Sequence, residues 1–250
     1  MRRFLKSRWF GFLLILLISV VITFVVWAAT PQGEVMQAAL DALKSDDAVT
    51  VTTEPWLIFT PTEQTTDVGF IFYPGGRVLP EAYSPSARAI AEAGYLTIIV
   101  PMPLNLAFFN PMAAQSVIDA YPEIQHWVIG GHSLGGAMAA AFAHDNPDKI
   151  DGLVLWAAYP ADFHNLSTYD DLAVTVVYGE YDGLASVETI EESAALLPDD
   201  AEFVMIKGGN HAYFGWYGAQ PGDNEALITR EQQQAKAVEA TIAVLEQLAG

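Results

Sequence analysis

The sequence contains no cysteine among its 250 residues. A chain without cysteine has no disulfide framework, no thiol nucleophile and no N-terminal cysteine that could carry a lipid. The absence of cysteine therefore does not indicate whether the compartment is oxidising or reducing. Without disulfides, the folded state must be stabilised by its hydrophobic core. A hydrophobic content of 52% is enough for one sizeable globular core, and the length is short for two.

Basic residues are also scarce, with 11 Lys and Arg against 30 Asp and Glu. Four of them, Arg2, Arg3, Lys6 and Arg8, lie in the first eight positions. The rest of the chain has seven basic and 30 acidic residues, a formal charge of −23. This charge disfavours nucleic acid as a partner, and the scattering of the acids indicates a solvated surface.

Common cofactor signatures are missing as well. The sequence has no GxGxxG, no P-loop and no pair of histidines at metal-binding spacing. We therefore expect no cofactor and no metal ion.

One long apolar run does occur, from Trp9 to Ala29. As a helix rising about 1.5 Å per residue, it would cross the roughly 30 Å hydrocarbon layer of a membrane. The basic segment 1–8 predicts a cytoplasmic N-terminus, with residues 30–250 forming a domain on the opposite side. The alternative is a cleaved secretory signal with a processing site near Val26–Ala28, which would release the domain. A run longer than the roughly 7–15 residues of a signal core favours the retained anchor.

The segment 30–250 alternates between apolar β-type runs and helical stretches. Because these runs lack polar alternation and are separated by helices, they predict an α/β fold with a mostly parallel sheet covered on both faces. A short helix at Val35 to Leu43 and two β-rich stretches, Ala48 to Thr53 and Trp56 to Thr60, precede the runs. The final helix begins at Thr229, with Gln232 at capping-box spacing. The six runs are Val68 to Tyr73, Leu96 to Val100, Trp127 to Ile129, Leu153 to Trp156, Val174 to Tyr178 and Phe203 to Ile206.

A GxSxG motif, Gly131-His132-Ser133-Leu134-Gly135, follows the third of these runs and precedes a helical stretch from Ala137 to His144. A serine on a sharp strand-to-helix turn has a strained backbone, and the flanking glycines let neighbouring chain approach it. Ser133 is therefore the candidate nucleophile. The structural alternative is a glycine-rich turn with a capping serine.

A serine hydroxyl needs a base to remove its proton and an acid to orient that base. Asp182 and His211 each follow a predicted strand, in the order serine, acid, histidine. Carboxyl ends of parallel strands share one edge of a sheet, so we expect the three side chains to meet there. Glu180 and Asp170 are the alternative acids.

The oxyanion of such a reaction needs backbone N–H donors. Leu134, directly after the nucleophile, is expected to supply one. The second is expected from the loop Pro74-Gly75-Gly76-Arg77, with Gly76 as first choice and Arg77 as second.

These motifs, together with Gly209-Asn210-His211, resemble the alpha/beta-hydrolase superfamily, near its dienelactone-hydrolase-like members. The resemblance extends from about Val68 to the C-terminus. A dienelactone hydrolase proper uses a cysteine nucleophile, so its substrate does not carry over to a chain with serine. Many members insert a helical cap after the sixth strand. Only Pro160 to Asp171 is available for one here, which implies an open site with little or no cap.

By the same resemblance, segments Met102 to Phe108 and Phe214 to Gly218 flank the site. Substrate-binding side chains are expected there, beside the serine turn and in the oxyanion loop. They are Arg77, Leu104, Asn105, Phe108, His132, Tyr213 and Phe214.

The resulting functional hypothesis is a serine hydrolase that cleaves an ester or related acyl bond of a small molecule through an acyl-enzyme on Ser133. A transacylase with the same triad and a catalytically inert hydrolase-like binding domain are the alternatives. The apolar character of the expected pocket predicts a preference for small apolar acyl groups.

Overall fold

The computed structural model describes residues 2–63 and 66–249. Its first element is one continuous helix, α1 (Arg2–Ala29), which contains the four N-terminal basic residues and the apolar run. Within α1, Trp9–Ala29 has a mean hydropathy of 2.9 and is only 6% buried. In the described part of the chain this is the one helix long and apolar enough to cross a membrane. By length and composition alone, an N-terminal signal sequence would meet the same description.

An eight-stranded sheet forms the centre of the domain, in the order β1-β2-β4-β3-β5-β6-β7-β8. The pairs β1–β2 and β2–β4 are antiparallel, whereas β3 pairs in parallel with β4 and β5, and the pairs from β5 to β8 are parallel. The predicted mostly parallel sheet is confirmed. Its strands are β1 (Val49–Thr52), β2 (Leu57–Pro61), β3 (Val68–Tyr73), β4 (Leu96–Ile99), β5 (His126–His132), β6 (Gly152–Trp156), β7 (Ala173–Gly179) and β8 (Glu202–Ile206).

Helices pack against this sheet. Helix α5 contacts β3, β5 and β6, and α3 and α7 pack against each other. The helix predicted at Val35 to Leu43 is shorter than expected. The helices after α1 are α2 (Gln37–Asp41), α3 (Ser84–Glu92), α4 (Ala114–Ala120), α5 (Leu134–Asp145), α6 (Val187–Glu192) and α7 (Arg230–Leu248). Single 3₁₀ turns occur at Pro80–Tyr83, Pro103–Asn105, Ala107–Phe109, Ser193–Leu196 and Ala212–Phe214.

The start of α7 has the capping box that the sequence predicts. Thr229 Oγ1 accepts a hydrogen bond from the Gln232 amide at 3.2 Å, and the Gln232 side chain accepts one from the Thr229 amide at 3.0 Å. Two amide groups at the helix terminus are thereby satisfied, which places the helix start at Arg230.

The connection between β6 and β7, residues 157–172, contains turns and no helix. No cap domain therefore covers the carboxyl edge of the sheet at this point. Ser133 follows β5, Asp182 lies in the loop after β7, and His211 lies in the loop after β8. Because β5, β7 and β8 run parallel, all three residues leave the sheet at the same edge.

The segment between α1 and α2 is hydrogen-bonded to the domain. The Gln32 amide donates to the carbonyl of Arg77 at 2.7 Å, and the Met36 amide donates to the carbonyl of Trp216 at 2.9 Å. Arg77 Nε donates to the carbonyl of Thr30 at 3.0 Å. These bonds attach the end of α1 to the domain.

Candidate active site

Ser133 lies on a sharp turn between β5 and α5. Its backbone has φ 52° and ψ −124°, a left-handed conformation that a residue with a side chain rarely adopts. The turn is possible because the chain around it is made of glycine: a Cβ on Gly131 would lie 2.6 Å from the carbonyl carbon of Gly135. The strained serine that the GxSxG motif predicts is present.

His211 and Asp182 form a buried hydrogen-bonded pair. His211 Nδ1 lies 2.8 Å from Asp182 Oδ2, and both side chains are almost fully buried. Asp182 Oδ1 accepts two further hydrogen bonds, from the amides of Leu184 at 2.8 Å and Ala185 at 2.7 Å. The carboxylate is therefore held in one orientation, and it orients the imidazole in turn.

The other nitrogen of the imidazole, His211 Nε2, is buried and has no hydrogen-bond partner in the part of the chain that the structure describes. Since Nδ1 is used by Asp182, Nε2 is the nitrogen that can exchange a proton with a group in the adjoining cavity.

The two alternative acids lie elsewhere. Glu180 is exposed, and its carboxylate accepts a hydrogen bond from the Gly208 amide at 2.9 Å. Asp170 lines a separate depression together with Asp148 and Asp151. The geometry therefore favours Asp182 as the partner of His211.

Ser133 and His211 share one cavity of about 330 Å³. Six of the ten lining residues follow β6 or β7, and the sequence analysis did not identify them. The sequence signal that could have identified them is their position. They follow strands that end at the same edge of the sheet as β5, the strand that leads to Ser133. The lining residues are Ser133, Leu134, Ala137, Ala157, Ala158, Tyr159, Ala161, Leu184, Ala185 and His211.

Two backbone amides are available beside Ser133. Leu134 is the first residue of α5, so its N–H has no acceptor within the helix. The Gly76 amide donates to no protein acceptor among the described residues, and a Cβ on Gly76 would lie 3.3 Å from the Leu134 side chain. The Arg77 amide already donates to the Asn105 carbonyl at 2.7 Å, which favours Gly76 over Arg77 as the second donor.

His132 lies behind the cavity rather than in its wall. It is fully buried, and its Nδ1 lies 2.9 Å from the phenol oxygen of Tyr83. Its ring packs on the ring of His211, with centroids 4.5 Å apart. Burial, and then the proximity of His211, lowers the pKa of His132 well below its usual value. A neutral histidine therefore supports the ring of His211.

The aromatic residues expected to bind substrate have other contacts. Phe214 is fully buried and packs against His132 and Trp156. The ring of Tyr213 lies under the guanidinium of Arg230, at 4.1 Å. Both complete the core beneath the site, as buried aromatic residues commonly do.

The remaining candidates lie toward α1. The Arg77 guanidinium stacks over Trp27 at 4.5 Å, and Leu104 and Asn105 form a turn with positive φ. Phe108 is 45% exposed and packs on Phe109. None of the seven predicted substrate-binding residues is among the residues that line the Ser133 cavity. Nearness to a strand end does not fix the direction of a side chain, so a role for these residues in substrate binding stays a prediction.

No group of three or more His, Cys, Asp or Glu side chains that could hold a metal ion occurs within residues 2–63 and 66–249.

Comparisons with known proteins agree with this architecture. The Alpha/beta hydrolase family matches residues 69–235 of the chain. No curated protein matches the sequence significantly. The nearer likeness to dienelactone-hydrolase-like members stays a prediction.

Several solved structures share the fold at low identity. Est1E from Butyrivibrio proteoclasticus has a TM-score of 0.56 at 12% identity, covering 80% of this chain and 100% of its own. The esterase domain of a Rhodothermus marinus protein has a TM-score of 0.56 at 15% identity, covering 76% and 91%. Mouse alpha/beta hydrolase domain-containing protein 10 has a TM-score of 0.53 at 13% identity, covering 82% and 100%. Since the family match covers more than half of the sequence, the chain belongs to the alpha/beta hydrolase family.

Proposed function

We propose that this protein is a serine hydrolase that cleaves an ester or related acyl bond through an acyl-enzyme on Ser133. The observation that carries the proposal is the position of His211. His211 Nδ1 is hydrogen-bonded to Asp182 Oδ2 at 2.8 Å, and the imidazole ring borders the same cavity as Ser133. A nucleophile, a base and a group that orients the base are the parts that acyl transfer requires.

In the proposed acylation step, Asp182 holds the proton of His211 on Nδ1, so Nε2 is free to accept the Ser133 hydroxyl proton. Ser133 Oγ attacks the carbonyl carbon of the substrate, and the amides of Leu134 and Gly76 stabilise the resulting oxyanion. His211 then gives its proton to the departing alcohol as the carbon–oxygen bond breaks.

Deacylation repeats these steps with water. His211 takes a proton from a water molecule as the water oxygen attacks the acyl carbon. Collapse of the second tetrahedral intermediate breaks the bond to Ser133 Oγ, which recovers its proton from His211. A carboxylic acid leaves, and the enzyme returns to its starting state.

We further infer that α1 anchors the protein in a membrane, with a cytoplasmic N-terminus and an extracytoplasmic catalytic domain. The support is the 21-residue apolar stretch Trp9–Ala29, its 6% burial and the basic residues before it. N-terminal sequencing of protein from the membrane fraction separates an anchor from a cleaved signal. Protease protection of intact cells or spheroplasts tests the orientation.

A fluorophosphonate probe tests the mechanism, because it labels only a serine that is activated as a nucleophile. We expect the full-length protein in detergent to be labelled and to hydrolyse p-nitrophenyl esters, and Ser133→Ala to lose both properties. Ser116→Ala, at an exposed serine of α4, is the matched control and should keep both. A folded wild-type protein without label and without hydrolysis would favour the inert binding domain instead. Adding alcohol acceptors and analysing the products separates a hydrolase from a transacylase.

A further inference from the structure

The segment 103–112 is uncharged and mostly apolar, and three of its large apolar side chains are exposed. Phe108 and Phe109 are each 45% exposed, and Met112 is 41% exposed. The sequence has no charged residue between Glu92 and Asp119, although 16% of the whole chain is charged. Clustered exposed apolar side chains of this kind typically mark an interaction surface.

This segment lies against the last turns of α1. The rings of Phe109 and Phe24 are 6.2 Å apart and meet edge to face, and Phe108 packs on Phe109 at 4.2 Å. The exposed surface of the segment therefore continues directly into the apolar surface of the candidate span.

The position of the membrane boundary on α1 is indicated by Trp27. Tryptophan and arginine are typical of the membrane–water interface, and here the Arg77 guanidinium stacks on Trp27 at 4.5 Å and donates to the Thr30 carbonyl. Phe24 is three residues before Trp27, which places it about 4.5 Å deeper along the helix axis. Side chains of a helix also tilt toward its N-terminus, which takes the ring of Phe24 deeper still.

Because the ring of Phe109 contacts the ring of Phe24, it lies at a similar depth. We propose that segment 103–112 is a second membrane contact of the catalytic domain, with Phe108, Phe109 and Met112 in the boundary between headgroups and acyl chains. The partner is the lipid bilayer itself. A zwitterionic surface fits best, since segment 103–112 offers no cation to anionic headgroups and the rest of the domain is strongly acidic. This inference rests on the proposed anchoring by α1.

The proposed contact is joined to the loop that carries Gly76. The Asn105 carbonyl accepts a hydrogen bond from the Arg77 amide, and Leu106 packs beside Gly76. Contact of segment 103–112 with lipid would therefore fix the rotation of the domain about the axis of α1. The loop that carries Gly76, beside Ser133, transmits this contact to the rest of the domain.

The absence of native cysteine allows a direct test, because one introduced cysteine is a unique labelling site. The full-length variants Phe108→Cys and Met112→Cys are labelled with an environment-sensitive fluorophore and placed in phosphatidylcholine nanodiscs. Phe163→Cys is the matched control, at an aromatic residue that is 75% exposed and follows β6. Ile18→Cys, in the middle of α1, reports on the span itself.

We expect the labels at positions 108, 112 and 18 to be quenched by nitroxide-bearing lipid and protected from iodide in solution. The label at 163 should respond in the opposite way. Labels at 108 and 112 that behave like the one at 163 would overturn the inference, as would protection from both quenchers, which indicates a protein partner. Iodide quenching at Ile18 would remove the anchor and this inference together. The fluorophosphonate result is independent of all these outcomes.

Discussion

The phenol oxygen of Tyr83 lies 2.9 Å from Nδ1 of His132, and both side chains are buried. The same oxygen accepts a hydrogen bond from the Gly75 amide at 3.0 Å. The ring of His132 packs on the ring of His211. The pair therefore connects the loop that contains Gly76 to the histidine that borders the cavity of Ser133.

Tyr83→Phe should destabilise the domain. The change leaves the Gly75 amide and His132 Nδ1 buried without a partner, and each unsatisfied group costs about 1–3 kcal/mol. We expect the free energy of unfolding to fall by roughly 2 kcal/mol or more, measured by urea denaturation followed by circular dichroism. Tyr121→Phe, at a partly exposed tyrosine, is the control and should change it little. Equal stability of the two variants would show that the buried hydroxyl is dispensable.

The acid side of the stability profile should depend on His132. In the unfolded chain its pKa is about 6.5, whereas burial and His211 lower its pKa in the folded protein. The unfolded state therefore binds a proton that the folded state excludes, and stability is lost as the pH falls through 6.5. Below pH 6.5, His132 alone should lower the free energy of unfolding by up to about 1.4 kcal/mol for each pH unit. Unfolding free energies measured from pH 7.5 to 5 should fall less steeply in His132→Gln than in wild type. Parallel profiles would contradict the prediction.

A chain beginning at Thr30 should be folded and water-soluble. The large side chains of Trp9–Trp27 are exposed to 39% or more and add little to the core. This chain keeps the hydrogen bond from the Gln32 amide to the Arg77 carbonyl, which a chain beginning at Gly33 would lack. We expect a sharp unfolding transition and esterase activity without detergent. Aggregation of this chain, under conditions in which the full-length protein is active in detergent, would show that α1 is needed for folding.

Losses of the three proposed catalytic groups should not add. Ser133→Ala or His211→Ala should each lower kcat by about 10⁴-fold or more, and the double variant should be little worse. Asp182→Asn should also be severe, on the order of 10⁴-fold, since it favours the wrong tautomer of His211. Glu180→Gln should be far milder, because that carboxylate contacts the Gly208 amide. A severe loss in Glu180→Gln with an active, folded Asp182→Asn would reverse the assignment of the acid.

The cavity should favour short acyl chains. Its volume is about 330 Å³, and five of its ten lining residues are alanines. We expect kcat/KM for p-nitrophenyl esters to be highest for short acyl groups and to fall for long ones. Leu184→Ala, at the partly exposed rim, should shift the optimum toward longer chains. Leu227→Ala, at an exposed leucine outside the cavity, should leave it unchanged. An optimum at long chains in the wild type would contradict the assigned pocket.

Local signals were sufficient for much of this fold. Strands β3 to β7 appear as largely apolar runs because both faces of a parallel sheet are covered, whereas the edge strand β8 is partly exposed. The capping box at Thr229 and the turn at Ser133 are also local, since each depends on a few adjacent residues. The contact between Asp182 and His211 required one further step, the rule that parallel strands end at a common edge.

The substrate-binding residues were a different problem. Phe214 follows a strand end as the sequence suggested, yet its ring points into the core against Trp156. The sequence does not distinguish Ala157 and Ala158 as site residues, because the alanine side chain has no functional group. Both line the cavity, since the chain after β6 passes beside Ser133.

By itself, the sequence determined the α/β class, the order of the strands along the chain, the serine turn and the apolar length of α1. Each of these is encoded in residues close together in the chain, where backbone conformation and hydrophobic periodicity act. Only the tertiary structure decided which small side chains surround Ser133, that His132 supports His211 from behind, and that segment 103–112 meets Phe24. Those relationships join residues far apart in the chain, and they depend on the direction in which each packed side chain points.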